Sequence, residues 1–143
     1  MATDVRTDDA VARASGPVPD SRPKARRVLV IDDNLDAAET LKLMLEWFGH
    51  EVATAYSGRT GLEKAKGWRP DVILCDIGLP DTDGYAVARA LRSCPDYRPD
   101  RLVAMTGYGQ DEDKLRALEA GFDLHLTKPV DPADLERLMK QGS

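Results

Sequence analysis

The chain has 143 residues, of which 42% are hydrophobic and 31% charged, and its formal net charge is −5. That length suits one well-buried domain and is too short for two ordinary ones. A mildly acidic chain without a Lys/Arg cluster on one face is not expected to bind nucleic acid by itself, and the lack of an apolar stretch of about 18 residues or of a signal peptide points away from a membrane and toward the cytoplasm.

Residues 1–24 hold no aromatic residue, the three prolines Pro17, Pro19 and Pro23, and acids (Asp4, Asp8, Asp9, Asp20) matched by bases (Arg6, Arg13, Arg22, Lys24). Such a segment has little to bury, so residues 1–25 are expected to form a disordered arm ahead of a domain over residues 26–141. From Arg26 onward strand and helix signals alternate five times. Val28 to Ile31 predicts the first strand. Asn34 can cap a helix whose apolar positions Ala38, Leu41, Leu45 and Phe48 recur at steps of three and four before Gly49 stops it. Glu51 to Ala55 predicts the second strand, Gly58 to Lys66 the second helix, Asp71 to Cys75 the third strand, and Tyr85 to Arg92 a short helix ended before Pro95. Arg101 to Met105 follows as the fourth strand, Gln110 to Ala120 as a helix closed by Gly121, Asp123 to Thr127 as the fifth strand, and Asp131 to Lys140 as the last helix. Strict alternation of this kind implies a doubly wound α/β domain with a parallel sheet and helices on both faces. Cys75 lies in a predicted buried strand and Cys94 near a helix end, which reads as two unrelated thiols.

Four of the apolar runs end on polar residues: Asp32-Asp33, Asp76, Thr106 and Lys128-Pro129. In a parallel sheet, ligand sites lie just beyond the carboxyl ends of the strands, so three acids, a hydroxyl and an amine would meet at one edge. Each piece also has a structural explanation. The acids before the first helix could be caps, the Gly78 to Gly84 segment an ordinary turn-rich loop, and Lys128-Pro129 a turn, conceivably with a cis bond. Asp76 is harder to explain in that way, because a carboxylate ending a buried strand is costly without a cation or metal. All four ends falling on one edge favours a charged pocket suited to phosphoryl chemistry.

Other α/β chemistries lack their residues. There is no Gly-x-Gly-x-x-Gly after the first strand and no Gly-x-x-x-x-Gly-Lys-Ser/Thr, against dinucleotide and P-loop nucleotide binding. An aspartate-nucleophile phosphatase would place its acids two apart, whereas Asp32 and Asp33 are adjacent. A Gly-x-Ser-x-Gly elbow is also missing. His50 and His125 are not at zinc-ligand spacing with the cysteines.

From about Arg26 to Lys140 the chain resembles the receiver domains of two-component response regulators, similar to single-domain chemotaxis-type regulators. The paired acids, the run Asp76-Ile77-Gly78-Leu79-Pro80-Asp81-Thr82-Asp83-Gly84, Thr106-Gly107 and Lys128-Pro129 match in order and spacing. The resemblance implies a flavodoxin-like (βα)5 fold with strand order 2-1-3-4-5. It further implies that Asp76 accepts the phosphoryl group, that Asp32, Asp33, Asp76 and the Gly78 carbonyl serve Mg²⁺, with Asp32 acting mainly through water, and that Lys128 and Thr106 meet the phosphoryl oxygens. Mg²⁺ suits such a site because it takes oxygen ligands and is held through carboxylates and phosphate. The implied partners are a sensor histidine kinase or a histidine phosphotransfer protein, and a downstream protein met through the fourth helix, fifth strand and fifth helix. Only 15 residues follow Lys128, so a single-domain regulator is expected rather than an enzyme, beyond its own phosphorylation and slow dephosphorylation. A phosphate shuttle or sink and a phosphorylation-independent scaffold are the alternatives. Two positions depart from the pattern: Gly78 offers no side chain beside the acceptor, and His125 stands where the family usually has an aromatic switch residue.

Overall fold

The computed structural model describes residues 26–107 and 111–140, so the expected arm over residues 1–25, the expected helix start at Gln110 and the expected domain end at residue 141 lie outside the described residues. In chain order the elements are β1 (Arg27–Ile31), α1 (Leu35–Trp47), β2 (Glu51–Ala55), α2 (Gly58–Trp68), β3 (Val72–Asp76), α3 (Gly84–Arg92), β4 (Arg101–Thr106), α4 (Asp111–Ala120), β5 (Leu124–Thr127) and α5 (Pro132–Lys140). The strands form one parallel five-stranded sheet in the order β2-β1-β3-β4-β5, which is the doubly wound topology expected.

Strands buried on both faces cannot alternate apolar with polar residues, and these do not. Val28, Val30, Val72, Leu74, Val103 and Met105 face α1 and α5, where Ala38, Leu41, Leu45, Leu135 and Leu138 complete one core. The intervening residues Leu29, Ile31, Ile73, Cys75, Leu102 and Ala104 face α2, α3 and α4 and meet Ala65, Val87, Leu91 and Ala117. Each fully buried Leu, Ile or Val adds about 1.5–3 kcal/mol of transfer free energy. The helix starts are capped as short polar side chains allow. Asn34 Oδ1 accepts from the Ala37 N–H at 3.0 Å, Ser57 Oγ from Thr60 at 3.1 Å, and Asp83 Oδ1 from Ala86 at 2.8 Å.

Several ends differ from expectation by one or two residues. Helix α2 passes Gly67 and runs to Trp68, a half-buried side chain packed against the core, before Arg69 turns left-handed at φ 57 and Pro70 prevents continuation. Asp123 belongs to the turn before β5, where its carboxylate accepts from the Leu102 N–H at 2.8 Å and pairs with Arg92 at 2.7 Å. Gly84 begins α3 one residue earlier than expected because Asp83 caps the helix, and the backbone leaves no room for a side chain there. A Cβ there would lie 2.6 Å from Ile77 Cα and 2.8 Å from the Asp76 carbonyl oxygen. Cys75 is buried and Cys94 half-buried, both as free thiols.

Candidate functional site

Sheet register sets the site before any side chain is considered. Ile31 is level with Cys75, Asp76 with Met105, and Thr106 with Thr127. The residues that follow β1 and β5, Asp32 and Lys128, therefore emerge beside Asp76 at the carboxyl edge. The Lys128 backbone is tied there by its N–H donating to the Thr106 carbonyl at 2.7 Å, and the Lys128–Pro129 peptide is cis.

Lys128 is the hub. Its Nζ donates to Asp32 Oδ2 at 2.9 Å and to Asp76 Oδ2 at 3.1 Å. Asp32 is fully buried, and its other oxygen accepts from the Asn34 N–H at 3.0 Å. Asp76 keeps 14% of its side chain exposed, and its Oδ1 accepts from the Gly78 N–H at 2.9 Å. The Asp76 carboxylate is thus oriented by an amine on one oxygen and a backbone N–H on the other, and stays partly exposed. Burial raises the pKa of Asp32, against the pull of the Asn34 N–H and Lys128. For Lys128 burial pulls downward, but hydrogen bonds and charge from Asp32 and Asp76 prevail and hold the amine above its ordinary value.

Asp33 is exposed beside this pair, and one oxygen each from Asp32, Asp33 and Asp76 lie within 4.8 Å of one another. Three carboxylates so close to one amine leave an excess of negative charge, and all their donors are hard oxygens. That donor set fits Mg²⁺, with Gly78 following in the same loop. A cleft of about 620 Å³ opens from Asp32 and Lys128 along α1 over Leu41 and Met44 to Val130.

Thr106 is fully buried at the end of β4, and its Oγ1 has no hydrogen-bond partner among the described residues. A buried hydroxyl left unsatisfied costs free energy, which a state that gave it an acceptor would recover. His125 is exposed on the edge strand β5. It is level with Ala104, and Thr106 is level with Thr127, so His125 and Thr106 lie on the same face of the sheet. The structure therefore brings Asp32, Asp33, Asp76 and Lys128 into one cluster, sets Gly78 beside it, buries Thr106 at its margin and leaves His125 outside on the surface.

One participant was not foreseen from the sequence. Asp81, in what reads as an ordinary turn, accepts from the backbone N–H groups of Gly58 and Arg59 at the start of α2, 23 and 22 residues away in the chain. These bonds hold its carboxyl below the usual carboxylate range. Nothing local in the sequence signals this contact, because its partners are backbone groups.

The family model described as the response regulator receiver domain matches residues 28–140. The transcriptional regulatory protein PrrA of Mycobacterium tuberculosis is 39% identical over 114 residues, covering 80% of this chain and 48% of PrrA. The chain thus spans about half the length of that relative. Among solved structures, the receiver domain of the sensor histidine kinase PA1611 from Pseudomonas aeruginosa, with a magnesium ion coordinated in its active-site cleft, is 29% identical. It aligns with TM-score 0.75 over 82% of this chain and 97% of its own. The receiver domain of the Saccharomyces cerevisiae response regulator Ssk1, solved with the histidine phosphotransfer protein Ypd1, is 26% identical with TM-score 0.74, over 82% of this chain and 87% of that one.

Proposed function

Since the chain belongs to the response regulator receiver domain family, we propose that it is a cytoplasmic receiver that takes a phosphoryl group onto Asp76 from a phosphohistidine on a sensor kinase or phosphotransfer protein. The carrying observation is the carboxylate of Asp76, half-enclosed at a strand end and gripped by Lys128 and the Gly78 N–H. In the transfer, the bond from phosphorus to the donor's imidazole nitrogen breaks as a bond from phosphorus to an Asp76 carboxylate oxygen forms, and the imidazole leaves with the electron pair. Asp33, Asp76 and Asp32, with the Gly78 carbonyl, would hold Mg²⁺, which when bound offsets the repulsion between the acids and the donor's phosphoryl group. Phosphoryl transfer asks for positioning and charge neutralisation more than for covalent chemistry, and Lys128 supplies both without moving far. The Ypd1 complex supports a phosphotransfer protein as donor.

The product carries about −1.5 to −2 charges and three acceptor oxygens. Thr106 can satisfy its hydroxyl by donating to one of them, and Lys128 can pair with another. Drawing Thr106 inward shifts the start of the β4–α4 connection, so the face of α4, β5 and α5 repacks and selects a downstream protein. Leu115 and Leu118 are exposed on α4, which suits such a contact. His125 is the switch residue of that face in this reading. The protein is no enzyme beyond phosphorylating and slowly dephosphorylating itself.

Incubation with acetyl phosphate and Mg²⁺, read by intact mass, tests the proposal. Wild type gains one phosphoryl mass and Asp76→Asn gains none while keeping its fold, with melting level or up by at most about 5 °C without Mg²⁺. Acid-stable phosphoryl label at another residue of Asp76→Asn, or no gain by wild type at any Mg²⁺ concentration, would instead favour another acceptor or a scaffold.

A further inference from the structure

We propose that Asp81 is a positioning residue for phosphoryl transfer, clamping the loop that carries Asp76 and Gly78 onto the first turn of α2; this rests on the functional reading above. The loop from Ile77 to Asp83 leaves β3 immediately after the acceptor and must present Gly78 toward the acid cluster. Its near end is held by the Ile77 N–H to the Met105 carbonyl at 3.3 Å, and its far end by the Gly84 N–H to the Ile77 carbonyl at 3.1 Å. Both ties lie at its base. At its crest, Asp81 Oδ1 accepts from the Gly58 N–H at 2.9 Å and Oδ2 from the Arg59 N–H at 3.0 Å.

A bidentate carboxylate on two successive N–H groups defines an orientation as well as a distance, since both oxygens are used and the carboxylate plane cannot turn. Ser57 caps that helix through Thr60 only, so Asp81 takes the two N–H groups of the first turn that Ser57 leaves open and ties the loop to them. Position 58 is shaped for the junction: a Cβ there would lie 2.0 Å from Thr82 Cγ2 and 3.5 Å from Asp81 Oδ1. Glycine lets the loop crest sit against the helix backbone. Asp81 is itself exposed, so the bond serves geometry and not the enclosure of a charge. Misplacing a reacting group by about 1 Å can cost on the order of 100-fold in rate, and freeing the crest removes the restraint that joins the loop to α2.

The test compares Asp81→Ala and Asp81→Asn with Ser57→Ala, a control that removes a cap from the same helix end without touching the loop. The readouts are the rate of phosphorylation by acetyl phosphate and the Mg²⁺ concentration giving half-maximal rate, with melting temperature alongside. The expected result is about a tenfold slower rate and a raised Mg²⁺ midpoint for Asp81→Ala. Asp81→Asn should fall between, since its amide oxygen keeps one acceptor and its NH₂ opposes the other N–H. Ser57→Ala should lose stability with unchanged rate and midpoint. If Asp81→Ala does not fold, the same loss in Asp81→Asn decides. Wild-type kinetics in the Asp81 variants, or equal losses in Ser57→Ala, would overturn the assignment and leave Asp81 a helix cap. Failure of wild type itself to take phosphate would instead strike the functional reading.

Discussion

Lys128 and Asp32 illustrate how a single ion pair can be a requirement of the fold as well as of the chemistry. Asp32 has no exposed side-chain surface, and Lys128 is its only cationic partner among the described residues. Removing the amine leaves a buried, unpaired carboxylate, which costs about 3–5 kcal/mol. Lys128→Met is therefore expected to lower stability by about that amount near neutral pH. The pH dependence has a definite sign. Burial already raises the pKa of Asp32, and an acid whose folded pKa lies above its unfolded one favours folding when protonated and loses that contribution as pH rises. The variant should melt higher near pH 5 than near pH 8. In wild type, the raised pKa of Lys128 gives a contribution present below the ordinary lysine range and lost only as pH climbs through the alkaline range. Melting temperature against pH for both proteins checks this, and a variant profile parallel to wild type would contradict it. Thr106 sets the opposite case. Its buried Oγ1 has no partner among the described residues, so Thr106→Val should be level or about 1 kcal/mol more stable without phosphate. The same variant should be phosphorylated normally and fail to propagate the change to α4, visible in amide shifts.

Among the elements, the proposed function assigns the response to β5 and α4 and the chemistry to β3 with its following loop. β5 has only four residues and one sheet neighbour, so a side chain on it can change position without unpacking a central strand. His125 sits there, exposed, on the face that also carries Thr106. His125→Phe is expected to leave the phosphorylation rate within about twofold of wild type, because the residue is exposed on the edge strand, outside the cluster of acids. It should alter the phosphorylation-induced shift changes in α4 and β5. Heteronuclear spectra before and after addition of acetyl phosphate measure both, and identical changes in the two proteins would make His125 a bystander.

At the scale of the whole molecule, two cores built on either face of one sheet hold the fold, and the acid cluster lies beyond both. Stability should therefore survive chelation of divalent cations. Mg²⁺ should add to it by mass action, about 2.7 kcal/mol at a hundred times its dissociation constant. Asp33→Asn, at an exposed position that shares no hydrogen bond with Lys128 among those of the cluster, should keep the metal-free melting temperature and lose most of the Mg²⁺-induced rise, together with phosphorylation. A thermal-shift titration with MgCl₂ in both proteins reads this directly; equal rises would remove Asp33 from the metal set.

The alternation of apolar runs with amphipathic segments was enough to specify β1 to β5 and the helices between them, since a strand buried on both faces and a helix with one buried stripe leave different periods in the chain. The polar residue ending each run was legible for the same reason: an acid after Ile31 or Cys75 cannot be explained by packing. Asn34 as a cap and Gly121 as a stop, at φ 115, followed from local backbone needs. That the polar ends of distant strands would gather at one edge was legible too, but the individual contacts they make were not. That Lys128 bridges Asp32 and Asp76, that Thr106 is buried without a partner, that Gly84 has no room for a methyl group, and that Asp81 reaches back to Gly58 and Arg59 depend on strand register and loop path. Those are set by how the two cores close on the sheet, and neither a residue's identity nor its spacing along the chain records them.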